Sequence, residues 1–328
     1  MRRTTRSVRI VMFAALVLVG ASSHFGCRRP SPQAQALELG IIAPSLDYLP
    51  LKVAEARGLL TEKGDTTQRG VPIKLRRFNA GWELGEALLA GRVDVAIIPF
   101  TYVVSAVARG GDVRIIACFE HEDDGIIARP GITTLEGLAG RKIGCLKAST
   151  IELLLRQTLD SRGIRAELVY FSSPMEMWSA LERGEVDALS YYVPGIIKAD
   201  GKIGNIIHWY SAEWPMHPCC DIAVHRANIR NKTKAVQRLV QALKAGTELI
   251  ARDTALACSV AVQTYGLSDA VALQSLRHTP FRLSLTHQDT VFELNTAALM
   301  TRLGYLPSTT KRREIYQAGF VAGELAHP

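Results

Sequence analysis

After its first twenty-six residues the chain has no apolar run that reaches the roughly 20 residues a membrane-crossing helix needs. Gly-Xaa4-Gly-Lys-Ser/Thr and His-Glu-Xaa-Xaa-His are both missing, and no Gly-Xaa-Gly-Xaa-Xaa-Gly follows the first strand pattern. The usual phosphate-cradling, zinc-hydrolase and dinucleotide signatures are therefore absent. No basic block stands outside the N-terminus, so nucleic-acid binding is not expected. There are six cysteines. If Cys27 is consumed as described below, Cys118, Cys145, Cys219, Cys220 and Cys258 remain, and five cannot all pair. A chain of 328 residues buries an adequate core without covalent staples, so no disulfide framework is read here. Low-complexity tracts are also lacking. With 48% apolar and 21% charged residues, the composition is that of a packed globular protein of one large or two medium domains.

What is present begins with an export pattern. Arg2, Arg3, Arg6 and Arg9 precede an apolar stretch from Ile10 to Gly20 and then small residues, which is the layout of a signal peptide over residues 1–26. Without those arginines the net charge falls from +8 to 35 basic minus 31 acidic residues, or +4, which gives little reason to expect a polyanionic partner. His24-Phe25-Gly26-Cys27 resembles a bacterial lipobox in its Gly-Cys pair, although His24 stands where leucine is usual. Lipidation of Cys27 and cleavage by ordinary signal peptidase after Ala21-Ser22-Ser23 are the two alternatives. Several acyl chains at Cys27 would anchor the protein stably, since each buried methylene adds about 0.8 kcal/mol. Residues 27–36, rich in Arg, Pro, Ser and Gln, read as a flexible tether.

One stretch occurs twice. Ala87-Leu-Leu-Ala-Gly-Arg-Val-Asp-Val-Ala-Ile-Ile98 returns as Ala180-Leu-Glu-Arg-Gly-Glu-Val-Asp-Ala-Leu-Ser-Tyr191, each reading as a helix ended by glycine and followed by a buried parallel strand. The pattern predicts strands at 37–43, 73–78, 113–119, 125–129, 142–146, 166–171, 203–209 and 220–225, besides those of the repeat. Helices are predicted at 49–57, 100–109, 133–140, 151–161 and from about 174, and residues 235 onward read as almost wholly helical, covering the outer face of the first lobe. The fold class expected is α/β: lobe I from 37–128 and 223–328, lobe II from 129–222, with two crossing segments able to act as a hinge. Ligands of such sheets sit beyond the carboxyl ends of the strands, here between facing lobes.

These segments resemble the nitrate/sulfonate/taurine solute-binding proteins of bacterial ABC importers and their thiamine-pyrimidine-synthesis relatives. The resemblance rests on Ile42-Ala-Pro-Ser-Leu-Asp-Tyr48, on the helix Pro50 to Gly58, and on the unit Ala87 to Ala96. Leu135-Glu-Gly-Leu-Ala-Gly-Arg-Lys-Ile-Gly144, the second Gly-Xaa-Val-Asp unit and Trp214-Pro-Met-His-Pro-Cys-Cys220 complete it, so that it covers most of the mature chain. It implies a two-lobed clamp of the periplasmic-binding-protein type II fold, no catalysis and no cofactor. It also implies a small-molecule ligand, an ABC permease as partner, and a monomer at the extracytoplasmic face of a membrane. The family's ligand lies in the interlobe cleft, which carries over to Ser45, Asp47 and Tyr48; Asn79, Gly81 and Trp82; Phe100 and Thr101; Ser149 and Thr150; Tyr191 and Tyr192, with Trp214, His217 and Cys219 at the rim.

The aromatic residues bear on the ligand. Tyr48, Trp82, Phe100, Tyr102, Tyr191, Tyr192 and Trp214 fall at predicted strand ends or loops rather than inside elements, where packing rings would stand. Rings on two closing lobes would stack a planar heterocycle, with Asp47 and Asn79 reading its edge. A bare anion would need more converging donors than this set provides, although the sulfonate and nitrate class stays open. On a regular strand His217, Cys219, Asp221 and His225 share one face, but neighbours about 7 Å apart cannot converge on one ion, so no metal site is expected. Two rivals remain: a pyrimidine-pathway enzyme using a cleft cysteine or histidine, and a ligand-sensing ectodomain. The lipid anchor is tested by fatty-acid labelling in a bacterial host. Label at Cys27 that disappears in Cys27→Ser, with release from membranes, is the expected outcome.

Overall fold

The computed structural model describes residues 36–59 and 72–321. The expected signal peptide, Cys27 and the tether up to residue 35 lie outside them. The first lobe starts with β1 (Leu37–Ile42), α1 (Leu49–Ala56), β2 (Ile73–Phe78), α2 (Gly81–Leu89), β3 (Val95–Pro99), α3 (Phe100–Ala108) and β4 (Val113–His121). β1 and β3 are buried along nearly their whole length because they are inner strands packed on both faces. β2 carries Lys74, Arg76 and Arg77 because it is the sheet edge, where charge discourages further pairing.

The second lobe contains β5 (Asp124–Ala128), β6 (Lys142–Leu146), α4 (Thr150–Ser161), β7 (Glu167–Phe171), α5 (Pro174–Arg183), β8 (Ala188–Tyr192), α6 (Gly195–Ala199) and β9 (Asn205–Trp209). The chain returns through β10 (Pro218–His225) and continues with α7 (Arg226–Asn231), α8 (Thr233–Arg252), α9 (Thr254–Tyr265), α10 (Asp269–Arg277), β11 (Phe281–Ser284), α11 (His287–Arg302) and α12 (Arg312–Ile315).

The sheet orders are β11-β4-β10-β3-β1-β2 and β7-β6-β8-β5-β9. Read from the edge strand inward, β2-β1-β3-β10-β4 and β7-β6-β8-β5-β9 are the same arrangement. The fourth place of each sheet, antiparallel to its neighbours, is filled by a strand that has just crossed from the other lobe. The two copies of the repeat become α2–β3 and α5–β8, and their shared aspartates do the same work. Asp94 donates its N–H to the Glu38 carbonyl at 2.8 Å while its carboxylate accepts the Glu38 N–H at 2.9 Å. Asp187 forms the same pair with Lys142, at 2.8 and 3.0 Å. Each clamp ties the incoming strand to the first strand of its own lobe, at the end away from the cleft.

Two expectations change. The sheets exchange at Glu122–Asp123, not after residue 128, and β10 belongs to the first sheet from Pro218, not from 223. Glu122 and Asp123 adopt left-handed backbone angles, as does Met216 in the return crossing. Glu122 joins the two crossings: its N–H donates to the His217 carbonyl at 2.9 Å and its carboxylate accepts the Met216 N–H at 2.7 Å. The C-terminal part, read as almost wholly helical, also supplies β11, paired with β4. Nor does it cover only the first lobe. Val260, Ala261, Leu267 and Ala272 pack with second-lobe residues such as Ile196 and Leu181, and His278 stacks on Trp209 at 3.9 Å. α8 packs on α1 at closest approach through Gly246, where a Cβ would strike the backbone carbonyl of Pro50.

That contact decides the sign of a substitution. Alanine should favour an exposed helix by about 1 kcal/mol over glycine, but overpacking against immobile backbone costs about 1–3 kcal/mol. Gly246→Ala is expected to lower the unfolding free energy by a net of up to about 2 kcal/mol, seen as a lower urea midpoint with unchanged slope.

Candidate functional site

A cavity with about 500 Å³ of empty space lies at the carboxyl ends of strands from both sheets, on top of the crossings. The first lobe contributes Ile42, Ser45 and Asp47 after β1, Ala80 and Gly81 opening α2, Pro99 and Tyr102 around the β3–α3 junction, and Glu120 on β4. Asp123 and Asp124 enter at the crossing, and Cys219 and Cys220 at the return. The second lobe adds Leu146, Ser149, Thr150, Ile151, Pro174 and Tyr192. Both adjacent thiols reach the cavity because the pairing of β10 with β4 shifts register on either side of Cys220, so strict alternation fails there.

The floor is acidic and dry. Asp47, Glu120, Asp123 and Asp124 are all buried, and neither oxygen of Glu120 has a donor. Asp123 Oδ1 and Asp124 Oδ2 are likewise without one. Burial pushes the Asp47 carboxyl up to about 7, with a hydrogen bond from Glu120 opposing the rise. Glu120 is pushed well above the usual carboxylate range, by burial first and then by the charge of Asp47. The pair thus shares a proton that Glu120 carries. Asp123 rises well above its usual range through burial and the charge of Asp124. His217 Nε2 lies 3.7 Å from Asp124 Oδ2, an ion pair only when the ring is doubly protonated. Among the described residues lining the cavity there is no Lys, Arg or His.

The helix starts that face such clefts ordinarily offer free amides to anions. Here the N–H one residue ahead of each cap is taken by a glutamate of the helix itself. The Glu152 carboxylate accepts the Ala148 N–H at 2.5 Å and Ser149 Oγ accepts the Glu152 N–H, closing the start of α4. Glu176 accepts the Ser172 N–H and Ser173 Oγ accepts the Glu176 N–H at α5. Glu83 accepts the Asn79 N–H at α2. Ser-Xaa-Xaa-Glu is the sequence form of this arrangement.

The expected site residues divide into three groups. Ser45, Asp47, Gly81, Ser149, Thr150, Tyr192 and Cys219 line the cavity. Asn79 and Trp82 stand in a groove that shares Ala80 and Pro174 with it. The Trp82 ring is 50% exposed and its Nε1–H donates to the Ser172 carbonyl across the lobes at 3.1 Å. The others do not line it. Tyr48 is buried edge-on to Tyr265, and Phe100 is fully buried against Phe292. Thr101 is buried in the first turn of α3. Tyr191 stacks beneath Tyr192 at 5.2 Å and donates its hydroxyl to the Pro174 carbonyl. Trp214 packs on the second-lobe core, and the buried His217 bonds the Trp214 carbonyl through Nδ1. Rings do not face each other as matching jaws: Tyr192 and Tyr102 line the cavity, and Tyr102 fits because Gly81 has no side chain in its way.

Glu120, Asp123, Asp124 and Cys220 were not among the expected residues. The signal for the first three was the run Glu120-His-Glu-Asp-Asp124 at a sheet crossing. The expectation of no metal site rested on regular strand spacing, which the register shift removes. Ligand atoms of Glu120, Cys219 and Cys220 lie within 4.8 Å of one another, as do those of Asp123, Asp124 and Cys219. This spacing suits a cation.

The NMT1-like family profile matches residues 30–263. The solved structure of the alkanesulfonate-binding protein SsuA from Xanthomonas axonopodis pv. citri bound to MOPS is similar, with 22% identity, a TM-score of 0.76, and 88% of this chain and 100% of that one covered. The periplasmic aliphatic sulphonate-binding protein SsuA from Escherichia coli has 20% identity, a TM-score of 0.71, and 90% and 96% coverage. The periplasmic nitrate-binding protein NrtA from Synechocystis PCC 6803 has 14% identity, a TM-score of 0.69, and 85% and 84% coverage. No curated protein matches the chain. The likeness bears out the two-lobed type II clamp expected from the sequence.

The buried acids make stability depend on pH. An Asp47 held at about 7 in the folded protein, against roughly 3.9 in an unfolded chain, means the folded state binds more protons, so stability falls as pH rises through that interval. Glu120 and Asp123, raised first by burial, act in the same direction. Glu293, at about 7, and Asp221 add to it from the neighbouring core. His121, His208 and His278, lowered first by burial, act oppositely, but below about pH 6.5. Ligand-free protein is expected to lose the contributions of Asp47 and Glu293 as pH rises towards about 7, by up to about 1.4 kcal/mol per pH unit for each titrating group, with the histidines opposing the fall. Glu120→Gln should flatten the slope in chemical denaturation.

Proposed function

Because the chain belongs to the NMT1-like family, we propose that it is an extracytoplasmic solute-binding protein that closes two lobes on a small molecule and presents it to an ABC permease. The observation that carries this reading is the cavity at the carboxyl ends of both sheets, floored by the two crossings about which the lobes would turn. Transport of this kind needs reversible binding and no chemistry.

The pyrimidine-enzyme rival would need a reactive thiol or histidine. Cys219 is pushed well above the ordinary thiol range by its contact with Cys220 and by burial, and Cys220 by burial, which is opposite to what a nucleophilic cysteine requires. The arginine-rich start and Gly26-Cys27 support export and a lipid anchor, which would hold the monomer near its permease. A sensing ectodomain would use the same cleft, and a requirement of uptake for this protein separates the two.

Of the ligand classes left open by the sequence, the cavity favours a planar heteroaromatic molecule over an anion. An anionic group 4 Å from one ionised carboxylate loses about 4 kcal/mol at an effective dielectric of 20, whereas a helix N-terminus returns only about 0.3–1 kcal/mol. Tyr192, backed by Tyr191, offers a supported ring face for stacking. Native mass spectrometry of protein purified without refolding should reveal a retained small molecule in 1:1 ratio. Tyr192→Ala should weaken its binding at least tenfold and Tyr191→Ala less, by calorimetry. Recovery of a chemically converted ligand would overturn the pure-binder reading.

A further inference from the structure

We propose that the ligand of this cleft is a small organic cation, a planar protonated amine or amidinium whose N–H groups bond Glu120, Asp47 and Asp123. The inference rests on the solute-binding reading and adds the sign of the ligand's charge, opposite to that of the sulfonate and nitrate that the similar proteins are named for.

Four features of the cavity converge on it. Glu120 is fully buried with both oxygens lacking a donor, and Asp123 and Asp124 each keep one such oxygen. Buried acceptors of this kind are normally satisfied, so the missing donors belong to whatever fills the space. No basic residue lines the cavity among the described residues, so nothing would balance an anion. The N–H groups of Asn79, Ala148 and Ser172, one residue ahead of the caps of α2, α4 and α5, are already bonded to Glu83, Glu152 and Glu176 and are not offered to an oxyanion. The remaining wall, with Ile42, Leu146, Ile151 and Tyr192, is apolar, so charge is recognised on one side and a flat hydrocarbon face on the other.

A bare metal ion satisfies the charge but not the space. The thiols of Cys219 and Cys220 with Glu120 have spacing for one, yet a bare ion would leave the apolar wall of Ile42, Leu146, Ile151 and Tyr192 without a partner. A planar cation with two or more N–H donors places charge-assisted hydrogen bonds on the acids and buries its ring against the wall. On binding, it would replace the proton shared by Asp47 and Glu120.

The test uses the exported protein, freed of any co-purifying molecule, with 4-aminopyridine and benzamidine as cationic probes, benzenesulfonate and nitrate as anions, and Zn²⁺ as the metal. Calorimetry should give micromolar affinity for at least one cation and at least 100-fold weaker binding of both anions. Glu120→Gln and Asp123→Asn should each weaken the cation at least tenfold. Their ligand-free melting temperatures should not fall, since each amide replaces a carboxyl group that burial already disfavours in its charged form, and this separates lost recognition from lost folding. Tighter binding of benzenesulfonate or nitrate than of either cation overturns the inference and leaves the solute-binding reading standing. Stoichiometric Zn²⁺ binding without response to the organic cations also overturns it. If none of the probes binds and no molecule co-purifies, both readings fall.

Discussion

The burial of carboxylates without cationic partners is the constraint on which the rest of the cleft depends. Asp47 and the run Glu120 to Asp124 come from two distant segments and meet where the chain crosses between lobes. Taken out of water they cannot all ionise, so protons are kept in the ligand-free state and Asp47 and Glu120 share one. An interior built for stability alone would place apolar side chains there. The retained acids instead leave acceptors in need of donors at the point where both lobes and both crossings touch the same space.

The surrounding architecture keeps those acids in place. Glu122 bonds the return crossing through its backbone and its side chain, so the two crossings behave as one joint. At the far ends of the strands, Asp94 and Asp187 lock each lobe's strands in register. Rigid lobes with a narrow joint are the requirement for hinge closure. Polar contacts cross the cleft: Trp82 reaches the Ser172 carbonyl, and the Tyr305 hydroxyl lies 3.3 Å from that of Tyr170. Hydrogen bonds of this exposed kind contribute little net stability each, which suits contacts that must break and re-form.

Much of this was legible in one dimension where the physics is local. The strands at 73–78 and 142–146 were read to the residue, because apolar periodicity and flanking breakers mark them. Ser45, Asp47, Gly81, Ser149, Thr150 and Tyr192 follow or end predicted strands in the sequence, and the fold brings them to the lining of one cavity. Ring orientation was not legible. Tyr191 and Tyr192 are adjacent, yet one lines the cavity and the other supports it. Phe100 and Thr101 follow a cavity-lining proline but turn into the core with the first turn of α3. The short β11 was missed because it is defined by pairing with β4, over 150 residues away, and not by its own composition.

The sequence by itself determined two α/β lobes, their repeated helix-strand unit and the family, since periodicity, capping residues and short motifs are properties of contiguous residues. Tertiary structure alone decided the chemistry of the cleft. The sign of its charge depends on residues up to 173 positions apart, as with Asp47 and Cys220, and on whether each carboxylate finds a cation once water is excluded. Asp187 and Glu185 stand two places apart in the repeat; one meets arginines beside its lobe's first strand, the other a single exposed arginine. Asp47 and Glu120 meet each other. Only folding sets those partners, because the energy of a charge is fixed by its neighbours in space and by its distance from solvent.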